Sequence, residues 1–220
     1  MRTACSLISG FLLFFAGLAF AETVTYGPLQ TGDDEREDAG GGCLQETSFN
    51  AGVASGELQH KIGGDASGCN SEWATSLEFD LAALPSHAVT SATLIIRKTG
   101  YSDDSQGFAY IGAFTYTATG SVTTVERADL TPDTALSIVY PPAANVDLEF
   151  DVTSAIQALL GDGDTRAGLL LAGVYSEVGY EDWISVGGKG YVFPPRLIIV
   201  FERPIATEST PWSQYKHLYR

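Results

Sequence analysis

Three features of the chain predict an all-β protein, an antiparallel jelly-roll-like β-sandwich with one short helix. The first is Leu77–Glu78–Phe79–Asp80–Leu81, then Leu84–Pro85, then Ser91–Ala92–Thr93–Leu94–Ile95–Ile96–Arg97, which reads as strand, tight turn, strand. The second is a hydrophobic period of two from Ser76 onward. The third is the turn residues between those runs: Gly100, Gly120, Pro141–Pro142, Gly161–Asp162–Gly163–Asp164, Gly187–Gly188 and Pro194–Pro195. Many short strands parted by such signals argue for a sandwich or a barrel.

Residues 1–21 read as a secretory signal. Arg2 supplies the positive end and residues 7–20 are almost wholly apolar. Ala19–Phe20–Ala21 then sets small residues at −3 and −1 before Glu22. The apolar run falls short of the roughly 20 residues a spanning helix needs. Cleavage after Ala21, rather than anchoring, is therefore expected, leaving a secreted or cell-surface protein without a transmembrane segment. Of the 220 residues, 199 remain. Cleavage removes one of 12 basic and none of 27 acidic side chains, so the mature net charge is −16. Such a surface repels phosphate and anionic lipid, and no nucleic-acid partner is expected.

Cys43 and Cys69 are the two cysteines of the mature chain. In an oxidising compartment such a pair is expected to form a disulfide. Closing that loop stabilises by about 3–4 kcal/mol on the chain-entropy account. No histidine or further thiolate stands at zinc-ligand spacing. The bridge would staple residues 22–75, a Gly-rich N-terminal part of one domain spanning 22–203. Thr23–Val24–Thr25–Tyr26 is a candidate first strand there. The rest of this part, including the charge run Asp33–Asp34–Glu35–Arg36–Glu37–Asp38, is expected to be irregular.

Beyond Ser76 each element has its own pattern. Leu77, Phe79 and Leu81 share a strand face. Tyr110, Gly112, Phe114 and Tyr116 alternate with Ala109, Ile111, Ala113 and Thr115. Val146, Leu148, Phe150 and Val152 alternate with Asp147, Glu149 and Asp151. Leu169–Leu170–Leu171 and Leu197–Ile198–Ile199–Val200 are continuous apolar runs, as for strands covered on both faces. Residues 153–160 carry Ile156, Leu159 and Leu160 at helical spacing, with Asp151 or Thr153 to cap the start and Gly161 to end it. That helix is expected across one open end of the sandwich.

Residues 204–220 form a tail. Thr210–Pro211 reads as a cap followed by proline at the first helical position. Trp212, Tyr215 and Tyr219 would share one face, with Lys216, His217 and Arg220 near the end. The tail is either a frayed terminus or a short amphipathic element that docks or sorts the protein.

Three separated segments, in order, resemble secreted bacterial domains of the DNRLRE type, which are similar to a class of carbohydrate-binding modules. They are Phe79–Asp80–Leu81–x–x–Leu84–Pro85 with Val89–Thr90–Ser91–Ala92–Thr93–Leu94; Asp151–Val152–Thr153 before Gly168–Leu169–Leu170–Leu171; and Pro194–Pro195–Arg196–Leu197. The resemblance covers residues 76–202. It implies a jelly-roll-like sandwich and attachment to polysaccharide or a cell-surface component, and does not imply catalysis. Glu78 departs from the basic or apolar residue common at that position. The Cys-bracketed N-terminal part has no counterpart.

No catalytic residues are assigned. His60, His87 and His217 are scattered and no Gly-x-Ser-x-Gly elbow is present. Glycoside hydrolysis needs two carboxyl groups about 5–10 Å apart across a cleft. Glu78, Asp80, Glu149 and Asp151 alternate with apolar residues and are expected on solvated outer faces instead. Calcium is the one cofactor the sequence suggests, at Asp162 and Asp164, since it takes oxygen ligands from loops; an ordinary turn after the helix is the competing reading.

Trp73, Tyr101, Tyr175, Tyr180, Trp183 and Tyr191 stand in or near expected loops and could stack on a sugar ring. Tyr180–Glu181–Asp182–Trp183 is the candidate ligand site, because carboxylates beside an aromatic can bond hydroxyls; Trp183 itself, beside Ile184 at a strand start, reads more readily as core. The expected function is non-catalytic binding of extracellular polysaccharide. A structural or cell-surface adhesion protein is the alternative, and a carbohydrate-active enzyme the third reading.

Overall fold

The computed structural model describes residues 19–37, 47–51, 59–65, 71–84, 88–101, 110–120, 134–139, 145–174 and 182–204. They form twelve strands and one helix: β1 (Ala19–Tyr26), β2 (Gln30–Glu37), β3 (Thr47–Ala51), β4 (Gln59–Asp65), β5 (Ser71–Asp80), β6 (Val89–Tyr101), β7 (Tyr110–Tyr116), β8 (Ser137–Val139), β9 (Asp147–Asp151), α1 (Thr153–Gly161), β10 (Arg166–Val174), β11 (Asp182–Gly187) and β12 (Arg196–Pro204). Two antiparallel sheets pack face to face as a β-sandwich.

The first sheet runs β1-β12-β6-β9. Its strands alternate cleanly. In β9, Leu148 and Phe150 are buried while Asp147, Glu149 and Asp151 are exposed. In β6, Ala92, Leu94 and Ile96 point inward, and Thr93, Ile95 and Arg97 line the half-exposed outer side. One face is core and the other solvated, as antiparallel sheets allow.

The second sheet is built around β5. β2 pairs along one of its edges. The other edge is shared by β10 over residues 74–80 and β4 over residues 71–73. β10 continues to β7 and β8, β4 to β11, and β3 lies outside β2. The 13-residue strand β6 joins the sheets: its last residues leave β12 and pair with β11, with a register irregularity between Ser185 and Val186. Bends and bulges of this kind are how strands turn sandwich corners.

Between the sheets lie Leu94, Ile96, Leu148, Phe150, Leu197, Ile199 and Phe201 from one side. Leu77, Phe79, Ile111, Leu169, Leu171 and Ile184 meet them from the other. Fully burying each such side chain stabilises by about 1.5–3 kcal/mol. The run Leu169–Leu170–Leu171 is covered on both faces, as its composition predicts. Leu169 and Leu171 enter the main core, while Leu170 joins Ala74, Phe114 and Ala172 in a second cluster on the outer side.

That second cluster corrects one expectation. Glu78 does not lie on a solvated face but is fully buried. Its carboxylate accepts hydrogen bonds from Thr119 N at 2.9 Å and Gly120 N at 2.8 Å. The Tyr116 hydroxyl lies close enough to feel the Glu78 charge and donates to Leu77 O at 3.4 Å. A buried charge is tolerated when it is hydrogen-bonded in this way. Arg166 steadies the turn from outside by donating to Thr119 O at 3.0 Å.

The N-terminal part is a second correction. The described residues between 22 and 75 are not irregular: they contain most of β1, then β2, β3, β4 and half of β5. Residues Asp33 to Glu37 of the charge run lie in β2, held between β5 and β3 on its two edges. Pairing on both sides overrides poor local strand propensity. β1 starts at Ala19, before the expected cleavage point, and Glu22 to Tyr26 pair with Phe201 to Leu197.

Helix α1 lies at one end of the sandwich. Asp151 Oδ1 accepts from Thr153 N at 3.0 Å and Thr153 Oγ1 at 2.6 Å, which fixes the first turn behind an N-cap at Val152. The helix ends at Gly161, as expected, with Asp162 as its C-cap, and Gly163, at φ +85°, supplies the left-handed residue just beyond. Gln157 Nε2 donates to Val89 O at 2.8 Å and ties the helix to β6. Ile156 is buried, and Leu159 and Leu160 pack partly against the core. Cys43, Cys69, Pro85, His87 and the tail beyond Pro204 lie outside the described residues. No helix among the described residues is long and apolar enough to cross a membrane.

Candidate binding face

The solvated face of the first sheet carries a candidate site. The connection from β11 to β12 delivers it. Gly187 ends β11, and a Cβ there would meet the Tyr191 ring at 2.6 Å and Phe193 O at 3.1 Å. The loop therefore folds back tightly only over glycine. Tyr191 N bonds to Gly188 O at 3.1 Å. Lys189 moors the loop to the start of β2, donating from its backbone N to Thr31 Oγ1 at 2.9 Å and from Nζ to Leu29 O at 2.6 Å. Pro194 and Pro195 then fix the backbone torsions leading into β12.

This moored loop presents Val192 and Phe193 to solvent, 75% and 57% exposed. Two neighbouring large apolar side chains held in the open contribute little to folding. The Arg97 guanidinium lies 5.3 Å from the Phe193 ring centroid, within cation–π range. Asp147 on β9 accepts from Arg97 Nη1 with Oδ1 and from Arg196 Nη2 with Oδ2, each at 3.2 Å. These partly exposed ion pairs contribute only about 0–1 kcal/mol each. Their effect is to hold both guanidinium groups beside the ring. Together with Ile95 and Pro194 these residues line a groove of about 330 Å³.

The groove combines an apolar ring, two guanidinium groups with unspent donors and one carboxylate with unspent lone pairs. That set suits a ligand with an apolar ring face and hydroxyls around its rim. Its described lining holds a single carboxylate, Asp147, clamped between two arginines.

The residues singled out from sequence fall differently. Tyr180 and Glu181 lie outside the described residues. Asp182 and Trp183 open β11, opposite Gly64 and Gly63 of β4. Trp73 is buried within β5 rather than near a loop, and Tyr191 is half-buried against Gly187. Asp162 and Asp164 are both exposed in the turn after α1. Among the described residues, no group of three or more His, Cys, Asp or Glu side chains is placed to hold a metal ion. Asp80, Glu149 and Asp151 are exposed, as their alternation predicts.

Phe193 escaped the sequence reading because only Trp and Tyr were considered as platforms. The available signal was Val192–Phe193 directly before Pro194–Pro195: two large apolar residues in a segment too constrained for a strand. No protein-family model matches the chain, and no curated protein matches it in sequence.

Proposed function

We propose that the chain is a secreted, non-catalytic binding module for extracellular polysaccharide, with the Phe193 groove as a sugar subsite. The observation that carries this reading is Phe193 itself, held solvent-exposed by a moored loop beside paired arginines. The resemblance of residues 76–202 to DNRLRE-type domains and the N-terminal signal pattern support it. Sugar rings stack their apolar faces on aromatic side chains, while guanidinium and carboxylate groups bond the hydroxyls.

The test is retention of the purified chain on a polysaccharide panel, with calcium and again with chelator. Retention is expected on at least one member. Phe193→Ala should weaken it about tenfold, the size of one aromatic contact of roughly 1.4 kcal/mol. Loss with chelator would bring in calcium, with Asp162 and Asp164 the first residues to substitute. No retention under either condition would overturn the proposal in favour of a structural or adhesion protein.

A further inference from the structure

Two connections that pass between the sheets are fastened to each other. Residues 27–29 carry the chain from β1 in the first sheet to β2 in the second. Residues 188–195 carry it back, from β11 in the second sheet to β12 in the first. Lys189 joins the two, through its backbone N to Thr31 Oγ1 and through its Nζ to Leu29 O.

The two anchors differ in rigidity. Lys189 is exposed, so water competes with its Nζ for Leu29 O. Thr31 is 1% exposed and stands opposite Leu77 of the main core. Leu29 N donates to Glu78 O at 2.6 Å, which ties the same stretch to β5 once more. A buried β-branched side chain is stiff at χ1, so Thr31 Oγ1 is a fixed point on the second sheet. Four residues beyond Lys189 stands Phe193, whose ring meets Arg97 of the first sheet. A cation–π contact at an exposed site is too weak to order a loop by itself. Pro194 and Pro195 restrict the segment after the ring. The segment before it is held at Lys189, by Thr31 and Leu29.

We propose that Thr31 is a positioning residue for the Phe193 groove. From the second sheet, through Lys189, it sets where the ring stands against Arg97 and Arg196, although Thr31 does not line the groove. The effect on ligand affinity rests on the polysaccharide reading above; the effect on the ring does not. A determinant of the groove then lies in β2, in the N-terminal part that the family resemblance leaves out.

Nitrogen-15 relaxation of the loop amides tests the positioning without any ligand. Thr31→Val keeps the branched shape and deletes the acceptor oxygen, whereas Thr31→Ser keeps the oxygen. Thr31→Val should raise the mobility of the Lys189, Val192 and Phe193 amides and leave those of β9 and β12 unchanged. Thr31→Ser should restore them. Lys189→Met, at an exposed position, removes only the Nζ bond and should loosen the same amides less; should Thr31→Val not fold, it decides alone. On a polysaccharide that retains the chain, Thr31→Val should weaken retention about fivefold, the scale of one hydrogen bond. Added to Phe193→Ala it should change nothing further, because both act through the ring.

Loop amides unmoved by Thr31→Val and by Lys189→Met overturn the proposal. Equal loosening by Thr31→Val and Thr31→Ser also overturns it, since the oxygen would then be irrelevant. So does a weakening that persists in the Phe193→Ala background, which would place the effect in the sandwich as a whole. Loosened amides in a chain that no polysaccharide retains overturn the binding reading and support the positioning.

Discussion

Glu78 shows how one side chain can be read correctly by period and wrongly by environment. Alternation places it opposite Leu77 and Phe79, and there it is. What covers that side comes from residues far along the chain, Thr119 and Gly120, which no local pattern announces. Glu78→Gln keeps the volume but turns an amide N–H₂ toward one of the two backbone donors that bond the buried carboxylate. It should destabilise the fold by about 1–3 kcal/mol, measured by urea unfolding. Tyr116 is bound into the same cluster. Burial first, then the Glu78 charge, raise its pKa well above the ordinary 10.0. The folded state therefore keeps a proton that the unfolded state gives up above about pH 10, so stability is full below that pH and falls as pH rises beyond it. Tyr116→Phe should flatten this alkaline decline, read as unfolding free energy from pH 8 to pH 11. Tyr26, raised by burial and by Asp80, leaves a residual slope.

Among the elements, legibility followed the number of covered faces. β9 was plain because it alternates, and α1 because its apolar spacing and Asp151 mark its start. β2 was hidden because its charged side chains outvote a pairing that exists only once β3 and β5 flank it. The loop that carries Phe193 was hidden for a different reason. Its order comes from Lys189 reaching to Leu29 and Thr31, about 160 residues away in sequence. Within the second sheet, Gly168 of β10 stands opposite Tyr116 of β7, where a Cβ would sit 2.5 Å from Tyr116 O and 3.1 Å from its ring. Gly168→Ala must push these strands apart or displace Tyr116 from Glu78. A loss of about 1–3 kcal/mol is expected, seen as a lowered thermal midpoint, even though alanine is ordinarily neutral in size.

At the scale of the whole molecule, the two faces of the sandwich divide the work. The side of β5, β10 and β7 away from the main core is itself largely buried, whereas the solvated face of the first sheet carries the Phe193 groove. The strands at the two ends of the described chain also meet. β1 pairs antiparallel with β12, Ala19 opposite Pro204, so both chain ends leave at the same corner. A pull on those ends loads the β1–β12 ladder one rung at a time rather than in shear. With the signal cleaved after Ala21, the sandwich should therefore open at low force by unzipping from the Glu22–Phe201 pair inward, as a stepwise lengthening in single-molecule stretching. A pull applied along β12 against β1 would instead load every rung together and demand far more. Tethered by both ends, this module would yield early and spare its neighbours; tethered by one, it would feel no such load.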